Sequence, residues 1–227
     1  MATETPTTTL VIIGNGPGEV AGWAIPVATE ARRIAQAAGR SLETALCLPP
    51  CQFASGQELV VATASGVFDR VVDPRDTLRL GLGLRGWTPA APAVILHVGG
   101  GFWYTSRLSR RWRAPAFAFV ERAHIARSHR TFERIFVPTG DLRDRLLFRG
   151  VPSHKVTVTG DPRYDAVLRQ RPGLAGRNGQ GGARPRVTFL AGSRDTVFSA
   201  VFPFWVQTAA ALRARPARHG KRACWRR

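Results

Sequence analysis

The chain reads as an α/β protein built on a Rossmann-like, mainly parallel sheet. Three observations predict this. Short strand-like apolar runs recur along the sequence, and the clearest of them end at glycines. Stretches whose apolar residues follow the helical period separate these runs, an alternation that puts helices on both faces of a parallel sheet. Finally, the 227 residues are 44% hydrophobic and 21% charged, enough for one large core or a domain and a half and too apolar for a wholly disordered chain.

The elements follow in order. Leu10–Ile13 is a β-branched run ending at Gly14, suited to a buried parallel strand. Glu19–Ala38 has helical spacing at Val20, Trp23, Ala24, Val27, Ala28, Ala31 and Ile34, and Gly39 is its stop. Pro26 in the second turn argues for a start nearer Ala24. Thr44–Leu48 is a second strand, 56–64 a short helix and Val67–Val72 an edge strand. Ala93–Val98 is the clearest strand and runs into Gly99, Gly100 and Gly101, with a helix over Phe102–Trp112. Ala116–Val120, Ile135–Val137 and Val156–Val158 are further strands, and Asp141–Phe148 a helix.

Residues 171–185 are crowded with Gly, Pro and Arg and read as a linker between a domain over 1–170 and the start of another over 186–212. In that second part, 186–190 reads as a strand, Gly192, Ser193 and Arg194 as its loop and 197–212 as a helix. One strand and one helix cannot bury a core alone, so this unit reads as incomplete. Residues 213–227 have seven basic and no acidic residues and no periodicity; they read as an unstructured tail, from a shifted frame, a premature stop or a genuine basic extension.

Composition narrows the function. There are 33 basic and 15 acidic residues, a net charge of +18, but only Lys155 and Lys221 are lysines. An arginine bias of this kind fits a solvated basic surface or attraction to anionic partners. A nucleic-acid module is not expected, since no helix-turn-helix, zinc or single-strand-binding signature is present. Cys47, Cys51 and Cys224 lack metal or redox spacing and read as unpaired thiols of a reducing compartment. His97 reads as a buried, hydrogen-bonded residue of its strand. No stretch reaches membrane-spanning length, and a cytoplasmic protein is expected. Arg107, Arg110, Arg111 and Arg113 around Trp112 suit either a solvated helix face or peripheral contact with an anionic membrane.

The loop Gly14-Asn15-Gly16-Pro17-Gly18-Glu19 follows a strand and precedes a helix, which brings backbone N–H groups and a helix N-terminus to an anionic ligand. A dinucleotide site would also need an acid at the end of the second strand, where Cys47, Leu48 and Pro49 stand. Read together, GNGPGEVAGW, the stretch 93–124, VTVTGDPRYDAV and VTFLAGSR have the order and spacing that resemble the lipid-A-disaccharide synthase family, over residues 9 to about 212. The resemblance implies the N-terminal, acceptor-side domain of a two-domain GT-B fold, and sugar transfer from a UDP-sugar to a lipid-linked or phosphorylated sugar, with no metal or cofactor, since cationic side chains and helix N-termini carry the diphosphate's charge. It implies acceptor contacts at Gly14, Asn15, Gly16, Gly18, Gly99, Gly100 and Gly101, and donor contacts at Gly192, Ser193 and Arg194. The family's catalytic Asp lies in the loop after the central strand; here Gly99–Gly101 hold no carboxylate. Glu19 and Glu121, each after a strand at the ligand-binding edge, are the candidate substitutes as general base. Val197 stands where the family has a Glu past the Arg. A sugar-nucleotide epimerase of the same architecture and a non-catalytic fragment are the alternatives, and the chain alone is expected not to turn over a UDP-sugar.

Overall fold

The computed structural model describes residues 7–52, 54–90, 92–171, 187–190 and 195–214. The chain divides into two compact units, Met1–Gly176 and Arg177–Arg227. The first unit is a seven-stranded, wholly parallel sheet in the order β3-β2-β1-β4-β5-β6-β7, the Rossmann-like α/β architecture. The strands are β1 (Thr8–Ile13), β2 (Leu42–Cys47), β3 (Arg70–Val72), β4 (Ala93–His97), β5 (Ala116–Phe119), β6 (Arg134–Val137) and β7 (Val156–Val158).

Parallel strands covered on both faces are apolar on both, and the alternation of side chains divides them between two cores. Val11, Ile13, Ile95, Ala118, Ile135 and Val137 face one core. Ile12, Leu46, Leu48, Val98 and Phe119 face the other. The first core is closed by Leu80 of α4 (Pro74–Gly81), Leu108 of α5 (Phe102–Trp112) and Leu142 and Leu146 of α6 (Gly140–Phe148). The second is closed by Val20, Trp23 and Ala24, by Ala28 of α2 (Ile25–Ala37) and by Ala62 of α3 (Glu58–Ala64). Each fully buried Leu or Ile stabilises the unit by roughly 1.5–3 kcal/mol, so these two layers hold the strand ends in place.

The expected strands and helices occur, with four corrections. The first helix begins well before Ala24: α1 (Pro17–Glu19), a π-helical turn over Val20–Ala24 and α2 run on without a break. Pro26 has no N–H, and in an α-helix its ring would crowd the Gly22 carbonyl. The π turn widens the backbone just before it, with Ile25 N–H donating to the carbonyl of Val20. The edge strand starts only at Arg70; just before it the exposed Asp69 carboxylate reaches back to β2 and accepts from the Thr44 N–H at 2.7 Å. Helix α4 was not expected; its signal is Asp73 before Pro74, with the Asp73 side chain accepting from Asp76 N–H at 2.9 Å. In the second unit, 187–190 form no strand, and no strand stands among its described residues to supply a hydrogen-bonding partner. Arg186 lies outside the described residues.

The expected helix after the loop is present as α8 (Asp195–Ala214). Over Thr196–Ala214 it is long and apolar enough to cross a membrane, contrary to the expectation that no segment reaches that length. Of the expected linker all but Arg171, the loop Gly192-Ser193-Arg194 and residues 215–227 of the expected tail lie outside the described residues; Arg213 and Ala214, expected in the tail, end α8 instead.

Candidate functional site

The strand order reverses between β1 and β4: the chain moves outward through β2 and β3, then returns to the other side of β1. In open α/β sheets the crevice at the carboxyl ends of such a pair is where ligands bind. Both glycine loops lie there. The N–H groups of Val98 and Gly99 donate to the Ile13 carbonyl at 2.8 and 3.1 Å, so the two loops leave the sheet zipped together.

Glu19 fills the space between them. One carboxylate oxygen accepts from the N–H groups of Asn15 and Gly16, both at 2.8 Å, closing the turn that starts the helix. A Cβ on Gly99 would lie 1.9 Å from that oxygen, so only glycine lets the β4 loop pass the carboxylate. Gly100 adopts a φ of +87°, which side chains rarely take, and its turn abuts Pro49 and Asn15. Gly101 caps α5, whose first N–H groups point back toward the crevice. Gly18, by contrast, has open space around it, and nothing there requires a glycine.

Of the residues expected at the site, Gly14, Asn15, Gly16, Gly99, Gly100 and Gly101 come together with Glu19. Glu121 lies elsewhere, at the carboxyl end of β5. There it accepts from Arg163, the second residue of α7 (Pro162–Gln170). Arg163 Nε also donates to Asp161 Oδ1 and Oδ2 at 3.1 and 2.9 Å, and its guanidinium stands 5.0 Å from the centre of the Trp23 ring.

Asp161 and Trp23 are functional candidates the sequence reading missed. Trp23 sits on the π turn, and its indole N–H donates to buried Asp161 at 3.2 Å while its ring meets Phe119 edge-on. Asp161 also caps α7 by accepting from the Arg163 N–H at 3.0 Å. Burial alone would raise the Asp161 carboxyl, but its bonds to Arg163 and Trp23 outweigh this and hold it below its usual range. The cluster thus ties the helix after β1 to the loops after β5 and β7. Its one sequence signal is an Asp directly before a Pro, a helix-start pattern.

His97 is buried on β4, as expected, with Nδ1 2.8 Å from Thr105 Oγ1. Burial pushes its pKa down to about 3, so it is neutral at physiological pH. Phe102 lies against the His97 ring and stacks on His124. Among the described residues no group of three or more His, Cys, Asp or Glu side chains is placed to hold a metal ion.

No family model matches the sequence, and no curated protein matches it either. Solved structures do resemble the fold. They include the UDP-GlcNAc 2-epimerase from Neisseria meningitidis bound to UDP-GlcNAc, at 18% identity and a TM-score of 0.49 over 74% of this chain. The UDP-N-acetylglucosamine 2-epimerase from Rickettsia bellii follows at 12% identity and a TM-score of 0.47 over 76% of the chain. The UDP-GlcNAc 2-epimerase from Methanocaldococcus jannaschii gives 15% identity and a TM-score of 0.41 over 75%. In each case the match spans 50% of the other chain, so this chain covers about half the length of the structures it resembles.

Proposed function

We infer that the first unit is the sugar-facing half of a two-domain enzyme acting on a UDP-linked sugar. The observation that carries this reading is the convergence of two glycine loops and the N-terminus of α5 at the point where the strand order reverses. The N-terminus of α5 suits phosphate and sugar oxygens there, while the N–H groups of Asn15, Gly16 and Gly99 are held by Glu19 and the Ile13 carbonyl and shape the crevice.

The choice between transfer and epimerisation turns on a base. Transfer to a sugar hydroxyl asks this unit for a free base facing the acceptor. The loop after β4 has no carboxylate, and the Glu19 oxygen nearest it is held by two backbone amides. Glu121 is paired with Arg163 at another strand end. The geometry therefore supports a unit that binds and orients the sugar nucleotide, with Glu19 shaping the loop. It suits the sugar-nucleotide epimerase reading, in which paired acidic and His groups lie elsewhere in the protein, better than the disaccharide-synthase reading.

The test is titration of the full chain with UDP-N-acetylglucosamine, followed by amide NMR. Saturable shifts are expected at Asn15, Gly16 and Gly99–Gly101, and they should persist in Glu19→Gln. Absence of saturable binding, or shifts confined to residues away from these loops, overturns the reading.

A further inference from the structure

The outer surface of α4 and α5 is unlike the rest of the unit. Between Arg70 and Arg113 there are eight arginines and only two acidic residues, Asp73 and Asp76. Arg75, Arg79, Arg85, Arg107, Arg110 and Arg111 are all exposed. The same surface exposes large apolar side chains: Leu82 is 56%, Leu84 50% and Trp103 42% accessible.

These groups form one continuous face. A Cβ on Gly81 would lie 3.1 Å from the Trp103 ring, and one on Gly83 would lie 3.9 Å from the Arg111 guanidinium. The Arg107 guanidinium stands 6.0 Å from the centre of the Trp103 ring. At the other end Trp87 packs edge-on against Trp112, and Arg70 lies over the Trp87 ring at 5.7 Å. Arg70, Arg79 and Arg85 also line a cavity of about 280 Å³ with Trp87, Asp73 and Asp76, three cationic groups against two acidic ones.

We propose that this face docks on an anionic lipid bilayer, with Leu82, Leu84 and Trp103 entering the interface and the arginines meeting lipid phosphates. Exposed leucines on a short loop flanked by arginines and tryptophans match the apolar and charged layers of a membrane surface. Trp103 follows Gly101 by two residues, so docking would set the β1–β4 crevice beside the lipid headgroups. The docking itself does not depend on the sugar-nucleotide reading.

The experiment is co-sedimentation of the full chain with vesicles of phosphatidylcholine alone, or with about one third phosphatidylglycerol, at matched ionic strength. Binding to the anionic vesicles is expected. L82S/L84S/W103S and R79E/R107E/R111E should each lower the partition coefficient by about tenfold or more. R40E/R143E/R149E removes as much positive charge from exposed positions elsewhere and should lower it by less than about threefold. Leu84→Ser alone, on an exposed loop, gives an intermediate loss if the triple variant does not fold. No binding by the parent chain overturns the proposal. So does an equal loss in the R40E/R143E/R149E variant, which means bulk charge. So does binding indifferent to both face variants, which assigns it to α8 or the basic C-terminal residues.

Discussion

Glu19 and Gly99 share one space, and this makes a sharp test of the crevice. Glu19→Ala removes one carboxylate oxygen that accepts from two half-buried backbone N–H groups at 2.8 Å. A hydrogen bond to a charged group contributes about 1.5–3 kcal/mol, and sharing one oxygen in a half-exposed turn puts each near or below the low end. The expected loss is about 2–3 kcal/mol, or roughly 5–10 °C in Tm for a unit of this size. Glu19→Gln keeps an oxygen acceptor and should lose only about 1 kcal/mol. Gly99→Ala alone forces a methyl to within 1.9 Å of the carboxylate and should cost more than about 3 kcal/mol. In the Glu19→Ala background the same methyl finds the space empty, so the double variant should be more stable than the sum of the singles by about 2 kcal/mol. Urea unfolding of all four proteins measures this cycle. A Glu19→Ala loss under about 0.5 kcal/mol, or additivity of the pair, refutes the account of the crevice.

Four further outcomes are expected. Asp161→Ala should speed amide exchange at Asn15 and Gly16 through the freed Trp23 side chain, whereas Asp161→Asn, which keeps an oxygen for the indole N–H, should not; equal exchange in both variants rules out the Trp23 link. The depressed pKa of His97 means the folded state binds fewer protons than the unfolded one, so stability is full above about pH 6.5 and declines below it by up to about 1.4 kcal/mol per pH unit toward pH 3. His97→Asn should flatten that slope in urea midpoints taken from pH 7 to 4. The Cys47 thiol, pushed up to about 12 by burial, should stay unlabelled by iodoacetamide at pH 8 in the native protein and react once unfolded, as read by peptide mass. Trp112 buries an indole N–H that has no hydrogen-bond partner among the described residues, so Trp112→Phe should leave stability unchanged or raise it by up to about 1 kcal/mol in thermal melts.

Much of this architecture is written locally. Val11–Ile13 are buried on both faces of the sheet, and Ala93–His97 is buried at Ile95 and His97 and half-buried at Val94 and Leu96, so hydrophobicity alone marks both as central strands. Phe102–Trp112 was legible because Tyr104 and Leu108 recur at helical spacing on its buried side. The π turn was not legible: the proline penalty at Pro26 argues for a helix start, and only the packing of Trp23 against Phe119 and Asp161 shows the helix widening instead. The glycine loops could be placed at the ligand edge from their position after strands. The partners of Glu19 and Glu121 could not, since the Gly16 turn and Arg163 reach them through tertiary structure. The Asp161 cluster joins residues 138 positions apart, and no local pattern encodes that distance.

The π turn has one more consequence, for the chain's tolerance of length change. A π turn is an α-helix carrying one surplus residue, held where it can be absorbed. Removing a residue from Val20–Ala24 would restore ordinary helical geometry and leave the residues before it close to their present orientation relative to α2, because the surplus residue is absorbed within one turn. Pro26 would then face the carbonyl of its new i−4 neighbour, which its ring crowds at a cost of about 3 kcal/mol. A one-residue deletion at this point should therefore be far more damaging than one in the open turn at Gly39-Arg40. The surplus residue thus spares Pro26 that clash while the glycine loop and α2 keep their relative orientation, a local slack that lets a proline sit inside the helix behind the loop.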